Sequence, residues 1–300
     1  MIICFSQFFA EIFVYNFLKI LLAIIEHQSE YVVTPEVNSF RRFFNMDQRL
    51  KEISENYEQM MIGPDDTFRF HCTMCGKCCV NREDIILNPC DVYRASKELG
   101  ITPGDFFTKY CEAYIGSSSS MVVVRLLPEG PDKHCPLLKG KRCAVHHGKP
   151  TVCALFPLGR GMMASKGEDA SFDRQEVRYF LQTIRCGDKS ESFTVREYLE
   201  SFGLQVQDPF IGKWFQAITD FGGIIRRLRG QFTDQGINAI STGILTALYI
   251  AYDTGKPFLP QFEENSRRLK QFFDDAGITP LSVFDEKTAA KEKTDGVSNG

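Results

Sequence analysis

Phe70-His71-Cys72-Thr73-Met74-Cys75-Gly76-Lys77-Cys78-Cys79 packs four cysteines into the eight residues from Cys72 to Cys79. A two-residue gap lets the sulfurs of Cys72 and Cys75 converge on one ion. Gly76, directly afterwards, accepts the positive φ that turns backbone N–H groups toward sulfur. Cys75 and Cys78 repeat the spacing. Four more cysteines follow at wider intervals, Cys135, Cys143, Cys153 and Cys186. Thiolates gathered in this way are soft anionic ligands, suited to zinc or to iron held by sulfur. A redox pair or chance explains a lone CxxC, but cysteine is too scarce for chance to explain four in so short a run.

Working outward, the 300 residues are 43% hydrophobic and 24% charged, a globular composition able to bury one large core or two smaller ones. The net charge of -3 gives no basic surface for nucleic acid. The chain is long, its eleven cysteines are odd in number, and they cluster at two-residue gaps. That pattern fits a reducing, cytoplasmic interior better than a secreted disulfide scaffold. Vicinal Cys78 and Cys79 suit two different sites better than one strained disulfide. Met1 to Ile25 is apolar, yet Glu11, Asn16 and Lys19 interrupt it and no basic n-region with a small-residue cleavage site is visible. The segment reads as an accessory amphipathic helix or an upstream extension ahead of a start at Met46, and a membrane role requires residues 2–25 to be a genuine anchor.

The fold expected is α+β, a small loop-rich cysteine domain with short strands followed by a helical C-terminal region. The boundaries are 1–45 for the doubtful leader, 46–205 for the cysteine domain, 206–284 for the helical region and 285–300 for a polar tail. Leu50, Ile53, Tyr57, Met60 and Met61 have helical spacing, and Thr67 to Phe70 reads as extended. Asn88-Pro89 and Thr102-Pro103 each look like an N-cap with proline at the first helical position; the first helix closes at Gly100 and the second runs through Tyr110 and Cys111. Ser117 to Ser120 is a loop and Met121 to Leu127 a β-branched strand. Cys135, Cys143 and Cys153 fall on loops and short strands around a turn at Lys139-Gly140-Lys141, and Phe180 to Ile184 leads to Cys186. Thr194 to Glu197 forms a capping box, Asp208-Pro209 starts a further helix, and Ile237 to Tyr252 and Gln261 to Phe273 read as two more.

These segments resemble the YkgJ-type cysteine-cluster family. The likeness is carried by Phe70 to Cys79, Cys135-Pro136-Leu137-Leu138, Cys143-Ala144-Val145-His146, Lys149 to Pro157 and Cys186-Gly187. It covers about Phe68 to Phe202 and implies a zinc- or iron-chelating domain with a CxxCxxCC signature. Members of that family are often labelled iron–sulfur proteins, and a related cluster accompanies flagellin lysine N-methylases.

The metal ligands expected are Cys72, Cys75, Cys78, Cys79, Cys135, Cys143, Cys153 and Cys186, enough for two four-thiolate sites or for one site with spare thiols. Each filled site carries a formal charge of about -2, as zinc or as [4Fe–4S], which Lys77, Arg82, Lys133, Lys139, Lys141, Arg142 and Lys149 could offset. Cys4, Cys90 and Cys111 read as inert thiols. His71, His134, His146 and His147 lie near the sulfurs, with His134 and His146 the better candidates for ligation. Glu83 and Asp84 read as surface carboxylates. No phosphate loop, dinucleotide fingerprint or serine elbow is present, so no catalytic residue is assigned. One or two iron–sulfur clusters, [4Fe–4S] ahead of zinc, in an electron-transfer or accessory role beside a protein partner is the first expectation; a structural zinc module is the second. An accessory to protein modification is third, by analogy alone.

Overall fold

Local signals fix most of the elements. The computed structural model describes residues 33–34, 55–82, 85–163, 176–184 and 186–281. The leader (apart from residues 33–34), the start of the helix read from Met46, Glu83, Asp84 and the polar tail lie outside the described residues. In chain order the strands are β1 (Val33–Thr34), β2 (Met61–Ile62), β3 (Thr67–His71), β4 (Ile86–Leu87), β5 (Cys111–Ile115), β6 (Val122–Leu126), β7 (Leu138–Lys139), β8 (Arg142–Cys143), β9 (Leu158–Met163), β10 (Glu176–Leu181) and β11 (Asp188–Thr194). The helices are α1 (Pro89–Leu99), α2 (Pro103–Tyr110), α3 (Thr151–Leu155), α4 (Val195–Ser201), α5 (Pro209–Leu228), α6 (Asp234–Leu245) and α7 (Phe258–Asp275). A π-helical turn, Thr246–Ile250, continues α6.

Capping explains the helix starts. Asn88 accepts a hydrogen bond from the Asp91 N–H while Asp91 returns one to the Asn88 N–H, and Gly100 closes α1 at φ 67°. Thr194 and Glu197 repeat this reciprocal arrangement at α4, while the Thr102 and Asp208 side chains accept a first-turn N–H at the starts of α2 and α5. Each such cap contributes about 1 kcal/mol by satisfying an N–H that the first turn leaves without a partner.

Four small sheets result: β1-β5-β6-β4, β2-β10-β9, β3-β11 and β7-β8. Pairing is antiparallel except between β1 and β5. Two hydrophobic cores lie beneath them. The larger joins α1, α2, β5 and β6 to α5, α6 and α7, so it draws on both sides of position 205; Phe106, Val124, Ile225, Ile244 and Leu248 sit at its centre. The smaller gathers Phe68, Phe70, Leu155, Leu158, Tyr179, Val195, Tyr198 and Leu199 from β3, α3, β9, β10 and α4. Tyr198 organises it, packing edge-on against Phe68 at 5.2 Å while its hydroxyl donates to the Phe156 carbonyl at 2.6 Å. Full burial of a large apolar side chain is worth about 1.5–3 kcal/mol, so the larger core dominates the driving force.

The architecture is α+β with a helical C-terminal region. Three local readings are corrected. Cys111 begins β5 rather than ending α2, because pairing with Leu126 outcompetes one more helical turn. Met60 ends a 3₁₀ turn and Met61 is already extended, paired with Phe180. Cys153 rides on the short helix α3 rather than on a loop or strand.

Candidate metal centre

A cavity of about 630 Å³ lies between the two cores, with walls taken from Phe70, Leu155, Leu158 and Tyr198 of the smaller and from Leu87, Met121, Val122, Leu137 and Tyr249 of the larger. All eight cysteines singled out in the sequence line it: Cys72, Cys75, Cys78, Cys79, Cys135, Cys143, Cys153 and Cys186. Thiols more than a hundred residues apart in the chain therefore line one cavity. Cys90 and Cys111 do not line it; burial pushes the Cys90 thiol up to about 12 and the Cys111 thiol well above its ordinary value, which suits inert side chains.

Different elements deliver the sulfurs. Cys72 follows β3, and Cys186 precedes β11, which pairs with β3 through His71 and Asp188. Gly76 sits at φ 74° and lets the chain double back into the turn Lys77–Cys79. Gly187 at φ 72° brings its N–H onto the Cys75 sulfur. The β7–β8 hairpin pairs Leu138 with Cys143 and carries Cys135 just before it. The Cys135 N–H donates to the Cys79 carbonyl at 2.7 Å, tying that hairpin to the end of the first cysteine run. Asp91 anchors α3: its carboxylate accepts from the Thr151 N–H at 2.7 Å and from the Thr151 hydroxyl at 2.6 Å, which fixes the helix that presents Cys153.

The same contact recurs at three sulfurs. The backbone N–H two residues ahead points at Cys75, Cys135 and Cys143, from Lys77, Leu137 and Val145 respectively. Such N–H groups stabilise a thiolate. At Cys75 the Lys77 N–H is the leading influence and the thiol titrates below its ordinary value. At Cys135 burial dominates and raises the thiol to about 11, and burial likewise raises Cys143 and Cys153. Burial also lifts Cys186 to about 12. Cys78 and Cys79 diverge: their sulfurs stand 3.8 Å apart, and the shared hydrogen bond lowers Cys78 to about 6 while holding Cys79 protonated. Arg82 and Lys149 add to the lowering at Cys78.

Of the nearby cations, Arg82, Lys141 and Lys149 line the cavity, and Lys149 is buried with its ammonium 5.1 Å from the Phe202 ring. Among the histidines, His146 lines it, and its Nδ1 is buried with no hydrogen-bond partner. His71 and His134 do not line it and instead lie 3.3 and 2.8 Å from the carboxylates of Asp188 and Asp132. Sulfur is thus the prevailing donor, compensating cations stand beside it, and amide N–H groups already face it. That chemistry fits a thiolate-bound metal. Among the described residues, no three side chains of Cys, His, Asp or Glu converge as one ion would require, so the sulfurs line the cavity without closing on a single point.

Residues 71–178 match the CxxCxxCC family model. That family is described as a "putative zinc- or iron-chelating domain". No curated protein and no solved structure matches the chain. Seven of the eight cavity cysteines fall within the CxxCxxCC span; Cys186 lies beyond its end and is brought in by the β3–β11 pairing. The description agrees with the donor set, which is suited to zinc or iron.

Sequence reasoning did not single out Asp91, whose capping role is readable in Asn88-Pro89-Cys90-Asp91 but whose partner Thr151 is remote in sequence. Nor did it find the aromatic end of the cavity, where Phe210, Trp214 and Phe215 of α5 join the wall.

Proposed function

We propose that the eight cysteines hold iron–sulfur and that the protein serves an electron-transfer or accessory role beside a protein partner. The observation that carries this reading is a single cavity lined by all eight thiols, which line it without converging as one mononuclear ion would need. An inorganic core of several atoms spans such a wall of sulfurs; when bound, it supplies one-electron chemistry. The chain's own residues set its surroundings: the N–H groups of Lys77, Leu137 and Val145 face sulfur, and Arg82 and Lys149 balance the negative charge. Met74 beside Cys75 and Val152 beside Cys153 are exposed apolar side chains on which a partner could dock.

A second reading has its own support. The cavity lies at the seam between two cores, where a structural zinc ion would staple the smaller to the larger and contribute folding energy without turnover. Anaerobic purification with quantification of iron, acid-labile sulfide and zinc separates the two. A brown protein containing iron and sulfide supports the first, a colourless zinc-loaded protein the second, and a protein free of both overturns each.

A further inference from the structure

We propose that the aromatic end of the cavity binds a small organic acid, its flat apolar body lying against α5 and its carboxylate on Arg160. This goes beyond the metal-binding reading and stands whichever metal, if any, occupies the sulfur-lined end.

Pockets that take small organic molecules are about 300–1,000 Å³, mostly apolar with a few placed polar groups, and the cavity of about 630 Å³ falls inside that range. Metal–sulfur bonds are about 2.3 Å long, so a metal or compact cluster accounts for the cysteine wall and not for an aromatic one. Phe210, Trp214 and Phe215 of α5 line the cavity and offer a metal no donor. Their surface is preformed: Trp214 stacks on Phe210 at 6.3 Å and stands edge-on to Tyr249 at 5.6 Å. Phe215 is 38% exposed, so this end opens to solvent. A flat apolar body is what such a wall fits.

Charge selects the rest of the ligand. Among the described residues, the cavity wall holds four cations, Arg82, Lys141, Lys149 and Arg160, against one carboxylate, Asp91. Asp91 is already occupied, accepting from the Thr151 N–H at 2.7 Å and from the Asn88 N–H at 3.0 Å. Arg82 and Lys149 act on Cys78, and the Lys141 backbone lies beside Gly76 of the cysteine run. Arg160 instead meets the start of α5. It sits on β9 opposite Tyr179 of β10, and its guanidinium reaches the Tyr179 hydroxyl, which donates to the Val206 carbonyl at 2.9 Å. Val206 precedes Asp208, the cap of α5, by two residues, so this contact sets Arg160 beside the helix that carries the aromatic wall. No carboxylate pairs with Arg160 among the described residues, and its Nη1 is buried without a hydrogen-bond partner. A buried donor left unpaired is costly, and a carboxylate is the partner whose two oxygens match a guanidinium.

The test uses the full chain as purified, with iron, sulfide and zinc measured on the same sample. 8-Anilinonaphthalene-1-sulfonate is the fluorescent probe, read by energy transfer from Trp214, the only tryptophan in the sequence. It is displaced by 1-naphthoate or by 1-naphthamide, which share one ring system and differ in charge. The wild type should bind the naphthoate about tenfold more tightly, the ratio a charge-assisted hydrogen bond supplies. Arg160→Gln should erase that preference by weakening the naphthoate alone, and Arg160→Lys, which keeps the charge, should retain most of it. Phe215→Ala should weaken both competitors alike. Equal affinities in the wild type, a preference that survives Arg160→Gln, or a Phe215→Ala variant that weakens neither compound overturns the site and leaves the metal-binding reading standing. The full pattern in a protein free of zinc, iron and sulfide supports the site and overturns the metal-binding reading instead.

Discussion

The larger core and the smaller core of this protein reach stability by different routes. Around Ile244 and Leu248, side chains from α1, β6, α5, α6 and α7 bury one another from every direction. Around Tyr198 only short strands and the short helices α3 and α4 contribute, and one flank of that core faces the thiol-lined cavity. A small cluster of apolar residues rarely supplies enough burial to hold itself together, and small natural domains commonly add a metal. The contrast teaches that the cysteines stand where the apolar driving force runs out.

The largest effect that could break this contrast is removal of metal. Stripping with a chelator under reducing conditions should open β3, β9, β10, α3 and α4 to hydrogen exchange, the loss being on the order of the ~10 kcal/mol that structural zinc contributes in small domains. Helices α5, α6 and α7 should keep their protection. Uniform loss across both cores would show that they form one cooperative unit.

Next come matched truncations at two fully buried leucines. Leu248→Ala in the larger core should cost about 2–5 kcal/mol in denaturant unfolding, with metal bound or removed. Leu199→Ala in the smaller core should cost a similar amount with metal bound and little once metal is stripped, because the surrounding structure is then already open. Equal costs in both states would remove the distinction.

A smaller effect sharpens the link between backbone and sulfur. A Cβ on Gly187 would run into the His71 carbonyl and approach the Phe70 ring at 2.7 Å, at a φ of 72° that L side chains rarely adopt. Gly187→Ala should destabilise by about 1–3 kcal/mol and weaken metal binding together, since it displaces the N–H that faces Cys75. Unchanged metal affinity measured by competition with a chromogenic chelator would contradict that link.

The smallest expected effect lies on α7 of the larger core. Hydrogen bonds from Arg267 and Arg268 lower Glu264 to about 2 from its ordinary 4.5. A carboxylate with a lowered folded-state pKa contributes stability above the unfolded value and loses it as pH falls through the folded one. Glu264→Gln should therefore lower the unfolding midpoint slightly near neutral pH, and the difference should fade as pH falls from about 4.5 toward 2. Both arginines are exposed and Glu264 is partly so, so salt should shrink it further.

Legibility in the sequence tracked the range of the interaction. Asn88, Thr102, Thr194 and Asp208 announced their helices because capping is settled within a few residues. The two-residue cysteine gaps and Gly76 announced a sulfur turn for the same reason. Strand β5 was hidden: Phe106, Phe107, Tyr110 and Cys111 keep a helical period, and only pairing with β6 across the intervening loop turns Cys111 into a strand residue. Cys153 was misplaced because Thr151 and Val152 are β-branched, whereas the Asp91 anchor that stabilises the turn of α3 comes from sixty residues away. That the eight cysteines gather around one location was readable from their number and type. Which sulfur meets which was not, since it depends on the long-range β3–β11 pairing and on the bond from Cys135 to Cys79.

X-ray absorption at the metal edge of the anaerobically purified protein tests the central claim most directly. The account predicts a first shell made of sulfur at about 2.3 Å, with iron–iron scattering beyond it if the centre is iron–sulfur. A first shell dominated by oxygen or nitrogen would contradict the claim that these cysteines hold the metal.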